Sequence, residues 1–185
     1  MSKKIGFIGT GNMGSAIIGG IVESGLTAAS DILVFDIEPS RSAAVAAKFG
    51  VRALTSLTEL ARAADILFVA VKPYAVTGVL EEVAQALKTD CVVVSIAAGV
   101  TLASLEAALE APRKVIRAMP NTPALVNAAM CSLTPNAQVS DEDLTAIKAI
   151  FASFGEAEVV PEKLIHAVTG VSGSAPAYVF MFIEA

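Results

Sequence analysis

Short apolar runs alternate with helical periodicity along most of this chain. Residues 4–8 read Lys-Ile-Gly-Phe-Ile and stop at Gly9, which fits a short buried strand. Met13, Ile17, Ile18, Ile21 and Val22 then share one helical face, and Gly25 ends that helix as a C-cap. A second strand spans 32–35 and closes on Asp36; Pro39-Ser40 opens a helix to about Phe49, which Gly50 stops. Residues 66–71 form a third, almost wholly apolar strand ended by Lys72-Pro73. Helical spacing returns over 75–87, a fourth strand covers 91–96, and Thr101 caps a helix through Leu109. Strands at 115–118 and 131–133 follow, then a helix capped by Ser140 with an acidic first turn, running to about Phe154. A last strand covers 156–160. Strands apolar on both faces, alternating with helices, predict a mostly parallel sheet with helices on each side and right-handed crossovers.

From about Glu162 the pattern is helical and the sheet does not return. Tyr178, Val179, Phe180, Met181, Phe182 and Ile183 make 175–185 apolar on every side, and such a helix has to be buried all round. The expected organisation is a domain over 1–161 and the beginning of a helical domain over 162–185, covered by missing chain or by another subunit.

With 55% hydrophobic and 17% charged residues the chain has ample material for a core and little tendency to disorder. A net charge of −5 without a basic cluster gives no hint of a nucleic-acid partner. The uncharged stretches 118–140 and 164–183 are broken by Pro, Gly, Asn, Ser or Thr, so neither reads as a membrane span. The run from Lys3-Lys4 into Ile5–Ile8 lacks the longer apolar core and small-residue cleavage site expected of a secretory signal. A cytoplasmic protein is expected. Cys91 and Cys131 read as small buried hydrophobes rather than as nucleophiles or ligands, His166 as an ordinary helix position, and no metal site can be assembled.

The chemistry concentrates where predicted strands end. Gly9-Thr10-Gly11-Asn12-Met13-Gly14 is G-x-G-x-x-G between a strand and a helix. In that setting Gly9 allows the turn, Gly11 lets the backbone approach a pyrophosphate, and Gly14 lets helix and strand pack closely. Asp36, at the end of the second strand, suits the adenosine ribose hydroxyls of NAD. Ser40 and Arg41, just beyond, suit the 2′-phosphate of NADP, or else Ser40 caps its helix and Arg41 is solvated. Local physics leaves that choice open. Three further turns stand at strand ends: 70–73 (Ala-Val-Lys-Pro), 95–99 (Ser-Ile-Ala-Ala-Gly) and 117–123 (Arg-Ala-Met-Pro-Asn-Thr-Pro).

Together with 168–178, and especially Val-Ser-Gly-Ser-Ala-Pro-Ala-Tyr at 171–178, these motifs resemble the pyrroline-5-carboxylate reductase family almost from end to end. Ala175 departs from the glycine usual there. The resemblance implies a Rossmann-type doubly wound domain followed by an all-α dimerisation domain, with the active site between them. It implies reduction of 1-pyrroline-5-carboxylate to L-proline by NADPH, with NADH possible, in a homodimer or higher homo-oligomer. It places Gly9, Gly11, Asn12, Met13 and Gly14 at the pyrophosphate, and Asp36, Ser40 and Arg41 around the ribose. Val71, Lys72, Ala97, Ala98 and Asn121 fall on the nicotinamide side. Ser172, Gly173 and Ser174 then touch substrate or partner subunit, although helix capping explains a Ser-Gly-Ser segment equally well. Family members continue for several helices, including a Gly-x-Thr segment for the substrate carboxylate, so the chain is expected to stop inside its helical domain. The rival readings are a β-hydroxyacid dehydrogenase and a non-catalytic dinucleotide-binding module.

Overall fold

The computed structural model describes residues 3–185; residues 1 and 2, the start of the expected first domain, lie outside it. Eight strands form one sheet: β1 (Ile5–Ile8), β2 (Ile32–Phe35), β3 (Arg52–Ala53), β4 (Ile66–Val69), β5 (Val92–Ser95), β6 (Lys114–Met119), β7 (Ala129–Pro135) and β8 (Gly155–Val159). Their order is β3-β2-β1-β4-β5-β6-β7-β8, parallel except between β6 and β7. The chain leaves β1 in one direction for β2 and β3, then returns to its other side as β4. The sheet therefore has its topological switch between β1 and β4, the place where open α/β sheets bind ligands.

Alternation of side chains along each strand divides the core in two. On one face Phe7 and Phe68 stack with ring centroids 4.7 Å apart. They pack with Ile17, Ile18 and Ile21 of α1 (Asn12–Glu23), Val45 of α2 (Pro39–Phe49) and Phe151 of α6 (Asp141–Ala152). On the other face Ile8, Leu67, Val69 and Val93 meet Leu60 of α3 (Leu57–Ala63), Leu80 of α4 (Val76–Val83) and Leu105 of α5 (Leu102–Ala108). β1, β4 and β5 are buried at every position, which is why their sequences are almost continuously apolar.

The helix caps follow the sequence. Thr101 and Ser140 each accept the backbone N–H three residues on, and Gly50 closes α2 at φ 71°. Some boundaries differ from expectation. β4 stops at Val69 rather than 71, because Ala70 already turns across the glycine loop. The helix expected over 75–87 is α4 with a 3₁₀ turn before it (Pro73–Ala75) and a tightened turn after it. The edge strand β3, too short at two residues to show a period, was not anticipated, nor was α3, although Ser56 caps it through the Glu59 N–H.

The last segment is helical but broken. A 3₁₀ turn (Glu162–Leu164) leads into α7 (Ile165–Val168), a π-helical turn (Thr169–Gly173) and α8 (Ala175–Glu184). Ile165 is buried, whereas Phe180, Met181 and Phe182 are 62%, 67% and 84% exposed. By length and composition alone the 23-residue helical run Glu162–Glu184 could cross a membrane.

Candidate functional site: the carboxyl edge of the sheet

Ile8, Val69, Ser95 and Arg117 are aligned across β1, β4, β5 and β6. The four motifs that follow these strands therefore emerge side by side along one edge. Gly9 has φ 96°, and a Cβ there would stand 2.6 Å from the Ala70 carbonyl oxygen. The turn can only be glycine, and it carries the chain directly into α1. A Cβ on Gly14 would collide with the Gly9 carbonyl, which holds the helix hard against the turn. Gly11, the N-cap of α1, is different: its missing side chain faces open space, with no described atom within 4 Å. The first turn of α1 carries no acid and its N-terminus has no side-chain cap among the described residues. Its N–H groups and positive dipole end are thus available to an anion. Asn12 is exposed there, while the Met13 side chain packs on the core.

Asp36 is 8% exposed and turns inward. One carboxylate oxygen accepts the Thr10 N–H at 2.7 Å and the Thr10 hydroxyl at 2.9 Å; the other accepts the Glu38 N–H at 3.0 Å. Burial works against its charge, but the hydrogen bonds from Thr10 and Glu38 outweigh it and hold the carboxyl below its usual 3.8. Asp36 thus anchors the glycine loop, a duty that the ribose reading did not include. Ser40 and Arg41, in the first turn of α2, both turn to Glu38: the Ser40 hydroxyl donates at 3.1 Å and Arg41 Nε lies 2.7 Å from the other oxygen.

Beyond β4, Val71 packs on the core while Lys72 is exposed and in no ion pair among the described residues. Beyond β5, Ala97 is buried in the core and Ala98 is exposed. Beyond β6, Asn121 ties three segments together. Its amide nitrogen donates to the Ser172 carbonyl and hydroxyl, both at 3.2 Å, and its oxygen accepts the Met130 N–H at 3.0 Å. Ser172, Gly173 and Ser174 do not cap α8 as a simple N-terminus. They complete a π-helical turn in which the Ser174 hydroxyl donates to the Thr169 carbonyl, and a Cβ on Gly173 would touch Met119. Such turns recur at functional sites.

Sequence reasoning missed several residues. Ile37 and Tyr74, 93% and 89% exposed, follow the two strands that flank β1; large apolar residues beside strand-ending acids or prolines were the available signal. It also missed Arg117, which is 4% exposed on β6 and donates to Glu162 at 2.8 Å. Glu162 accepts the Leu102 N–H through the same oxygen, so one carboxylate joins β6, α5 and the last segment. Nothing in the spacing of residues 117 and 162 announces that pair.

Comparison with known proteins agrees with this geometry. Residues 4–99 match the family model described as NADP oxidoreductase coenzyme F420-dependent, and 162–185 match the one described as pyrroline-5-carboxylate reductase dimerisation. The pyrroline-5-carboxylate reductase of Escherichia coli (strain K12) is 57% identical over all 185 residues, which span 69% of that protein. The chain belongs to the pyrroline-5-carboxylate reductase family. Through residues 4–99 it also belongs to the wider group that the first model describes. The structure of the Coxiella burnetii reductase superposes with a TM-score of 0.95 at 32% identity, covering 100% of this chain and 68% of that one. A Plasmodium falciparum family member solved with NADP bound gives 0.90 at 31% identity, covering 99% of this chain and 67% of that one.

Proposed function

We propose that this chain reduces 1-pyrroline-5-carboxylate to L-proline with NADPH, and with NADH as a less favoured donor. The observation that carries the reading is the Gly9–Gly14 turn at the β1/β4 switch, in a chain 57% identical to a reductase of that name. The open face at Gly11 and the uncapped α1 N-terminus fit a pyrophosphate. Gly9 and Gly14 shape that cradle, and the backbone N–H groups of Asn12 and Met13 would point into it. Ser40 and Arg41 would hold a 2′-phosphate, with Asp36 steadying the loop between them and the glycines. Ile37 and Tyr74 would cover the adenine. Val71, Lys72, the backbone of Ala97, Ala98 and Asn121 would border the nicotinamide, and Ser172, Gly173 and Ser174 the substrate.

When bound, reduced nicotinamide supplies a hydride to the C=N carbon of the substrate ring. The ring nitrogen needs one proton, and a substrate taken up as the iminium brings it. The protein's own task is therefore to orient two rings and exclude water. The cysteines take no part: burial pushes both thiols up to about 12. The Asn121–Ser172 bonds serve positioning, because they lock the nicotinamide-side loop to the turn assigned to substrate.

We divide the chain into a cofactor domain over 1–161 and the first part of a helical domain over 162–185. The exposed apolar faces of α8 support homo-oligomerisation through that domain rather than insertion in a membrane. A cytoplasmic location is part of the same proposal. The test is pyrroline-5-carboxylate-dependent oxidation of NADPH and NADH by the product of the whole gene. Turnover, faster with NADPH, is expected; cofactor binding without turnover would overturn the assignment.

A further inference from the structure

Two acids stand at the adenosine end of this edge, and they are held differently. Asp36 is buried with its oxygens committed to Thr10 and to the Glu38 N–H. Glu38 is exposed, and its two oxygens are taken by Ser40 and Arg41. A hydroxyl on one oxygen and a guanidinium on the other is the company a phosphate would keep, and these are the same two donors. Glu38 is the N-cap of α2, yet its side chain makes no capping bond, Pro39 occupies the first turn, and the contact with Asp36 comes from the backbone.

We infer that Glu38 is a specificity-determining residue for the cofactor: its carboxylate occupies the Ser40 and Arg41 donors, so a 2′-phosphate must displace it and a 2′-hydroxyl need not. The inference rests on the reading of this edge as the cofactor site. The side chains of the Arg41–Glu38 pair are 59% and 55% exposed, and ion pairs in water are held loosely. Displacement is therefore easy, and Glu38 trims the preference for a 2′-phosphate without abolishing it. Once displaced, the carboxylate still adds like-charge repulsion to a ligand carrying the extra phosphate.

The test compares adenosine 2′,5′-bisphosphate with 5′-AMP, which differ only in the 2′-phosphate, by calorimetric titration at low salt. Glu38→Gln should tighten the bisphosphate roughly three- to tenfold and leave 5′-AMP within about twofold. The gain should shrink in an Arg41→Gln background, where there is no guanidinium to release. Equal changes for both probes, or a gain undiminished without Arg41, would overturn the role of Glu38 alone. If the unaltered protein binds neither probe nor NADPH, the cofactor reading falls and this inference with it.

Discussion

Phe68 and Phe182 both lie in strongly apolar stretches, and they meet opposite surroundings. Phe68 is fully buried in the middle of the sheet, stacked on Phe7 and in contact with Phe151. Phe182 is 84% exposed on α8. Hydrophobicity decides that a side chain seeks cover; what decides whether it finds cover within the chain is the number of layers laid over it. β4 has helices from both sides of the sheet, while α8 follows a half-buried π-turn and lies beyond Ile165, the last buried residue.

The sharpest way to break that contrast is to truncate both rings. Phe68→Ala should destabilise the chain by about 3–5 kcal/mol, through lost transfer energy and a cavity. Urea unfolding measures it, and a loss under 1 kcal/mol would mean the sheet core is not packed as described. A second substitution separates the edge of the sheet from its core. Gly11→Val places a side chain in open space at φ −67°, so stability should change by less than about 1 kcal/mol. NADPH affinity should fall on the order of a hundredfold, about 2.7 kcal/mol. Unchanged affinity would remove the pyrophosphate from that turn.

The two regions are joined by the Arg117–Glu162 pair, which gives a third test. Burial opposes the charge of Glu162, but the Leu102 N–H and Arg117 together hold its carboxyl below the usual 4.5. Because the folded value is the lower one, the stabilisation is complete above pH 4.5 and fades as the pH falls through the folded value. Glu162→Gln should cost about 1–3 kcal/mol at neutral pH by leaving Arg117 without its charged partner. It should also flatten the acid limb of the stability profile; an unaltered limb would show that the pair contributes nothing. The smallest effect is expected at the other end of the comparison. Phe182→Ala should leave unfolding of this chain within about 0.5 kcal/mol while weakening self-association in sedimentation. A core-sized loss of stability would show that α8 is covered within its own chain.

The alternation of strands and helices, the glycine turn and most caps were legible in the sequence because each rests on local rules. A buried strand is apolar throughout, a helix repeats near every third or fourth residue, and Thr101 and Ser140 cap helices through bonds three residues away. The edge strand β3 was not legible, since two residues are too few to establish a period; α3 was missed although Ser56 caps it through the Glu59 N–H. The turn at Ser172–Ser174 looked like a helix start because a π-turn uses the same residue types and differs only in which carbonyl each N–H reaches.

At the site the division is similar. By itself the sequence determined which residues could face a dinucleotide, because glycines, an acid and strand-ending prolines carry their geometry with them. Tertiary structure alone decided how those residues are used. It turned Asp36 inward onto Thr10 across 26 residues and bound Asn121 to Ser172 across 51. It also set Arg117 on Glu162 across 45 residues. The physical reason is that hydrogen bonds and ion pairs depend on distances of about 3 Å, and separations along the chain do not fix such distances until the sheet has brought the strand ends into register.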